Sequence, residues 1–200
     1  NLGLFYGMGK AKLQAELGVS KDKASMLSER YHARVPFVKQ LMNRLMNAAS
    51  SKGQIKTLLG RRCRFPKYEP VLRGDDWGKY VPAEDHERML ELQQMGPTII
   101  DEDGINTGKK NYWHNNPSRR AFTYKALNKL IQGSAADMTK KAMLDLYKEG
   151  IIPHIQVHDE LDISVSDNAE KIKEIMENAV DLKIPNKVDY ESGPNWGSIK

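Results

Sequence analysis

The sequence predicts an α+β fold, and three observations carry that prediction. Apolar residues in the first half recur at helical spacing. A long helical segment follows over residues 119–148. Residues 151–165, IIPHIQVHDELDISV, then alternate apolar and polar side chains with period two. Alternation over two such short runs marks a half-buried hairpin, whereas apolar positions three and four apart mark amphipathic helix.

Composition bounds the answer. Two hundred residues suit one domain or two small ones. A hydrophobic share of 40% with a mean hydropathy of −0.63 describes a soluble globular chain. No apolar run approaches membrane-spanning length and no signal-peptide pattern is present, so a membrane partner is not expected. Cys63 is the only cysteine. That excludes an internal disulfide, fits a reducing compartment and argues against a Cys-based zinc site. The five histidines are scattered. His154 and His158 would share a strand face, but two ligands do not make a zinc site.

The net charge of +5 is unevenly distributed. Residues 1–66 hold 13 Lys/Arg against 3 Asp/Glu, and residues 117–150 carry a net +4. Residues 67–116 carry −4 and residues 151–200 carry −5. A basic first third suits a polyanion such as nucleic-acid phosphate, and equally a solvated Lys-rich helical surface. The acidic last quarter contains the hairpin, where clustered carboxylates would suit a divalent cation.

In chain order, residues 1–18 read as the end of one helix, a break at Gly7 and Gly9, and a short helix ending at Gly18. The opening NLGLFYGMGK has no N-cap and no initiating Met, so it reads as the middle of an element and the chain as a fragment or processed piece. Ser20 caps a helix through about Arg34. Pro36 suits the first turn of the next helix, which runs towards Ser51 on the stripe Val38, Leu41, Met42, Leu45 and Met46 and stops at Gly53. Gln54–Leu59 is a strand candidate, followed by GRRCRFP. Residues 67–116 turn rich in Gly, Pro, Asp and Asn. They read as a variable insertion with one helix near residues 84–95 and a loop or loose hairpin at 101–116.

Residues 119–148 make the longest helical segment, interrupted at Gly133. Tyr124, Asn128 and Gln132 are four apart and form one polar stripe. Gly150 and Pro153 lead into the hairpin, whose tip is His158, Asp159 and Glu160. A carboxylate on a stiff hairpin tip can hold a metal ion, and Asp is also an ordinary turn residue. On the triplet alone the plain surface turn is the reading to prefer. Asp167 or Asn168 caps a final helix to about Leu182, and a strand at residues 187–191 and a GPNW turn close the chain.

Three stretches together go further: NLGLFYG at 1–7, ALNKLIQGSAAD at 126–137 and QVHDEL at 156–161. In this order and separation they closely resemble the C-terminal third of family A DNA polymerases, the DNA polymerase I family. TLLGRRCRFP at 57–66 looks like that family's Gly-Arg-Arg segment, and SGPNW at 192–196 is similar to the endings of phage replicative members. The resemblance runs through nearly the whole chain. It implies a helical fingers remainder followed by a long helix packed on a small antiparallel palm sheet with a catalytic hairpin. Residues 1–118 would be fingers with an insertion at about 67–116, and residues 119–200 the C-terminal part of the palm.

The resemblance implies roles residue by residue. Asp159 matches the family's second catalytic aspartate, a ligand of the Mg²⁺ pair that drives nucleotidyl transfer, and Glu160 is its acidic neighbour in metal binding. His158 is placed at the primer end, in preference to the bare alternative of a hairpin residue packed on the next helix. Asn128 and Gln132 match minor-groove contacts near the primer terminus. Amide donors suit that task, because the minor groove offers N3 and O2 acceptors on A·T and T·A pairs alike. Without the motif they are two polar residues on a solvated helix face. Tyr6 and Gly7 match the end of the fingers helix beside the template base and incoming nucleotide; the bare alternative is a core Tyr at a helix end. Arg61, Arg62 and Arg64 would contact DNA phosphate.

The sequence also departs from the family. Leu2 stands where the family has Phe or Tyr, a position involved in sugar selection. Tyr124, beside Lys125, stands where many relatives carry Arg. The other metal-binding aspartate, the triphosphate-gripping Lys and Arg, the thumb and any exonuclease would lie upstream. The implied partners are primer-template DNA, dNTP and an N-terminal polymerase portion, in the cytoplasm (the host's, for a virus). The chain alone is expected to be inactive. Two other readings are a non-catalytic DNA-binding or scaffolding piece, and a metal-dependent phosphohydrolase using His158 and Asp159, for which further His and Asp ligands at workable spacing are missing.

Overall fold

The computed structural model describes residues 2–5, 8–72, 81–164 and 168–199. Tyr6 and Gly7 lie outside the described residues, as do Val165 and Asp167, and so does the Leu2 side chain. The expected α+β class is found: helices and antiparallel two-stranded ribbons along one chain. The chain forms two compact units, Asn1–Lys56 with Arg61–Leu130, and Thr57–Gly60 with Ile131–Lys200. Among the described residues no helix is long and apolar enough to cross a membrane.

The first unit opens on four helices, α1 (Leu2–Phe5), α2 (Lys10–Leu17), α3 (Lys21–Arg34) and α4 (Pro36–Lys52). The Ser20 side chain accepts from the Lys23 N–H at 3.3 Å and starts α3 as its cap position predicts. Pro36 starts α4, where its missing N–H is not needed. Leu4, Leu13 and Ala24 form one apolar cluster, joined by Met8, Leu27 and Tyr31. At the other end Gly53 stops α4 in the left-handed conformation, φ 66°. A Cβ there would also stand 2.7 Å from the Arg120 guanidinium carbon, so a larger residue would have to displace the end of that side chain.

The chain then makes a ribbon from β1 (Gln54–Lys56) and β2 (Arg62–Arg64), with Ile55 opposite Cys63. The strand expected over residues 54–59 therefore ends at Lys56, because Thr57–Gly60 is a turn closed by Gly60 N–H donating to the Thr57 carbonyl at 3.0 Å. Ile55 and Phe65 pack with Ala49 and Ala126 into a second cluster. Strand β3 (Tyr68–Pro70) pairs with β6 (Ser118–Arg120), setting Glu69 opposite Arg119. The buried Glu69 carboxylate accepts from Arg119 Nε at 2.8 Å.

Between these strands lie α5 (His86–Gln94), capped by Asp85, and a hairpin of β4 (Thr98–Ile100) and β5 (Asn106–Lys110). The expected helix near 84–95 is thus present, and the expected loose hairpin begins at Thr98 rather than 101. Its core is Ala83, Met89, Leu92 and Trp113. Asn111 is buried and holds this core's polar frame. Its Nδ2 donates to the Leu92 carbonyl at 2.7 Å and the Gly96 carbonyl at 2.9 Å, and its Oδ1 accepts from the Trp113 N–H at 3.0 Å.

The long helix expected over 119–148 is shorter at its start. Arg119 and Arg120 are strand residues, Phe122 takes a left-handed φ of 59°, and Thr123–Lys125 is a 3-10 turn. The ladder to β3 claims residues 118–120, so α6 runs Ala126–Lys148. Gly133 does not interrupt it. In the second unit, Leu146 is fully buried, and Gly150 leaves the helix in the left-handed region, φ 77°. Strands β7 (Ile155–Val157) and β8 (Glu160–Asp162) follow, then α7 (Ala169–Glu177). Helix α7 stops short of Leu182 because the Asn178 side chain takes the Glu174 carbonyl at 2.8 Å. The strand expected at 187–191 does not form: the Val188 N–H donates to Glu177 Oε1 at 3.1 Å and is unavailable to a ladder.

Two outcomes follow. Asn111→Ala strands the Leu92 and Gly96 carbonyls and is expected to cost about 2–3 kcal/mol in denaturant unfolding. On α6, Lys141 and then Lys148 hydrogen-bond Asp145 and hold its carboxyl below the usual carboxylate range. A lowered carboxylate pKa contributes stability above the ordinary value and loses it as pH falls through the folded value. Lys141→Met is expected to raise the Asp145 midpoint in an NMR pH titration.

Candidate active site

The hairpin tip is built by its register. Val157 stands opposite Glu160, leaving His158 and Asp159 as a two-residue turn. Such turns match the right-handed twist of the strands only when the first central residue takes positive φ. His158 does so, with φ 55°, although it is not a glycine. Gln156 Nε2 donates to the His158 carbonyl at 3.0 Å and steadies the turn from below. At the open end the His154 N–H donates to the Asp162 carbonyl at 2.8 Å, and the His154 ring meets Ser164 Oγ at 3.0 Å. His154 is thereby committed to the base of the hairpin and not to a shared site with His158.

His158, Asp159 and Glu160 are all exposed. Asp159 to Ile163 form one wall of a cavity of about 910 Å³, faced by Ala135, Met138, Ile172 and Met176. Asp162 Oδ2 is buried on this wall with no hydrogen-bond partner. Carboxylate oxygens are the donors a hard divalent cation needs. Among the described residues, however, no three His, Cys, Asp or Glu side chains converge on one point. Asp159 and Glu160 fit part of a cation site, not a whole one.

The remaining sequence-predicted residues are distributed along the chain. Asn128 and Gln132 are exposed one turn apart on α6. Tyr124 belongs to the 3-10 turn before the helix, so the three-residue stripe reduces to these two. Tyr124 is exposed, and Lys125 Nζ lies over the Phe122 ring at 4.9 Å and over the Tyr124 ring at 5.8 Å from their centroids. Arg61, Arg62 and Arg64 are exposed. Strand alternation turns Cys63 to the core side and Arg62 and Arg64 outwards together.

Several ordering contacts were invisible to periodicity. Lys129 Nζ donates to the Arg64 carbonyl at 3.2 Å and lies 4.4 Å over the Phe65 ring. Arg120 donates to the Phe65 carbonyl at 3.0 Å and stacks 4.9 Å over Tyr68. Thr57 Oγ1 donates to the buried Asp137 carboxylate, and the Leu58 N–H donates to Ser134 Oγ at 3.0 Å. The partners in each pair are 50 or more residues apart, beyond any local pattern; only the placing of an acid among the small residues of GSAAD hinted at Asp137.

The hairpin presents adjacent carboxylates, α6 carries outward amides, and the β1–β2 ribbon carries arginines. The chain belongs to DNA polymerase family A, whose sequence pattern matches residues 1–198. It is 31% identical to a DNA-directed DNA polymerase of Pseudomonas phage M6, over 98% of this chain and 28% of that protein. It is 32% identical to DNA polymerase I of Geobacillus stearothermophilus, over 100% of this chain and 19% of that protein. The chain therefore spans well under a third of these relatives. Among solved structures it resembles the POL domain of Pol1 from M. smegmatis in complex with DNA primer-template and dNTP, with a TM-score of 0.58 and 25% identity over 92% of this chain and 27% of that one.

The left-handed His158 gives a stability test independent of activity. His158→Val is expected to destabilise the hairpin by about 1–2 kcal/mol, while His158→Gly leaves it unchanged or firmer. Hydrogen exchange at the amides of residues 155–162 reads both.

Proposed function

We propose that this chain is the C-terminal portion of a template-directed DNA polymerase that adds dNTPs to a primer 3′ end. Residues 1–118 supply the rear of the fingers, with an insertion at about 67–116, and residues 119–200 supply part of the palm. The observation that carries the reading is the exposed turn at His158–Asp159, followed at once by Glu160, in a chain of family A.

Asp159, with Glu160 beside it, would hold Mg²⁺ jointly with a carboxylate from outside this chain. The chemistry such a metal pair supplies is activation of the primer 3′-hydroxyl and charge neutralisation on the leaving pyrophosphate. The chain's own groups do the rest. His158 stands next to Asp159 at the rigid tip and contacts the primer end. Asn128 and Gln132 donate to minor-groove acceptors and test base-pair shape without reading sequence. Tyr124 and Lys125 grip the primer strand where relatives use Arg. Arg61, Arg62 and Arg64 neutralise backbone phosphates. By the family resemblance, Tyr6, Gly7 and Leu2 would contact the template base and incoming nucleotide. The partners are primer-template DNA, dNTP and the N-terminal polymerase portion, in the cytoplasm of a cell or of a phage host. The solved complex of the M. smegmatis relative with primer-template and dNTP supports the choice of ligands.

In the complete polymerase, Asp159→Ala is expected to lower primer extension by about 10³-fold or more while primer-template affinity changes little. Extension near the wild-type rate would overturn the catalytic role and favour a scaffold. The 200-residue chain by itself is expected to show no Mg²⁺-dependent extension.

A further inference from the structure

We propose that Lys129 and Arg120 are positioning residues: they lock the end of the arginine ribbon and so place Arg64 for its phosphate contact. This rests on the polymerase reading above, and every residue involved belongs to the first unit. Arg64 ends β2 and Phe65 follows it, and the backbone there is held from several sides. The Phe65 N–H donates to the Gly53 carbonyl at 2.8 Å, Arg120 donates to the Phe65 carbonyl at 3.0 Å, and Lys129 Nζ donates to the Arg64 carbonyl at 3.2 Å. The Phe65 side chain is buried, and the Lys129 ammonium lies 4.4 Å over its ring. A strand end held by three hydrogen bonds and a buried ring cannot slide along its neighbour.

The partners of these two cations carry the functional argument. A carboxylate opposite Lys129 or Arg120 would hold the ribbon equally well and would cancel the charge. A backbone carbonyl or an aromatic face holds a cation and leaves its charge in place. Arg120 stacks 4.9 Å over Tyr68, and among the described residues neither Lys129, Arg120 nor Arg64 pairs with a carboxylate. Other cations of the same unit do pair: Lys10 with Glu29, Lys67 with Glu84 and Arg88 with Glu91. The ribbon end is thus stiff and still positive, which suits a polyanion. Strand alternation turns the Arg64 side chain away from the core, and its backbone is fixed beneath it. A phosphate contact positions DNA only when the contacting group is itself positioned. Lys129 also adjoins Asn128 on the first turn of α6. The ribbon that meets phosphate and the amide that meets the minor groove are therefore held in one frame.

The test uses the complete polymerase and measures primer-template affinity across salt concentrations. Lys129→Met keeps an apolar stem on Phe65 and removes the ammonium; Lys129→Arg keeps a donor and the charge. Lys129→Met is expected to weaken binding roughly fivefold and to flatten the log–log salt slope by about one, while Lys129→Arg binds as wild type does. An Arg64→Ala background separates positioning from a direct phosphate contact by Lys129. In that background Lys129→Met is expected to cost less than about twofold further, because the arginine it places is gone. A further loss of roughly fivefold there would show Lys129 binding DNA on its own account and would overturn the proposal. Unchanged affinity and slope beside a lowered melting temperature would overturn it too, as would failure of Lys129→Arg to retain binding. Where Lys129→Met does not fold, Lys129→Gln, with its shorter reach, carries the same expectations and the same overturning results. If Asp159→Ala still extends primers, the polymerase reading itself fails. If Asp159→Ala is dead while Lys129→Met binds DNA as wild type does, the positioning role alone fails.

Discussion

Ala49 and Ala126 have no exposed surface, and the first unit hangs on that close approach. Helix α4 meets the turn that enters α6 at a distance only small side chains allow, and Ile55 and Phe65 fill the space on either side. Close packing tolerates neither a void nor an added methylene at such a point. The elements that carry the arginine ribbon and the start of α6 are therefore placed by one apolar contact set. Gly53 extends the constraint, since the Arg120 guanidinium occupies the volume a side chain would need.

Buried polar groups add direction to this packing. Asn111, Glu69 and Asp137 are each removed from water, and each bonds a named partner. Apolar contacts fix how close two elements lie, while a buried hydrogen bond fixes their register as well, because an unmatched donor or acceptor is costly. Asn111 thus shapes the module between β3 and β6, Glu69 sets Arg119, and Asp137 holds the turn Thr57–Gly60. The hairpin uses a different device. Its two-residue turn forces His158 into a strained conformation, and that strain is concentrated beside the carboxylates.

Much of this was legible in the residues. Ser20, Pro36, Gly18, Gly53 and Gly150 mark helix ends through local chemistry that needs no tertiary partner, and period-two alternation found the hairpin and its tip. The misreadings share a cause. Residues 118–120 carry helix-compatible side chains, yet β3 claims them by pairing from 50 residues away, and the helix starts later at Ala126. Gly133 looked like a break, but one glycine costs a helix only about 1 kcal/mol and tertiary packing outweighs it. The C-terminal strand failed because a Glu177 oxygen took the Val188 N–H, a competition no propensity reveals.

By itself the sequence determined the class of fold, the family, the position of Asp159 and Glu160 on a hairpin tip, and the outward amides Asn128 and Gln132. These rest on short-range periodicity and on contiguous motifs, which are encoded within a few residues of one another. The tertiary structure decided where α6 begins, that His158 takes the left-handed turn, that His154 serves Ser164 instead of a metal, and that Thr57 is bound to Asp137. Each depends on a partner brought near by chain reversal or long-range packing, and the energy of such a contact is not a property of either residue's neighbours in sequence.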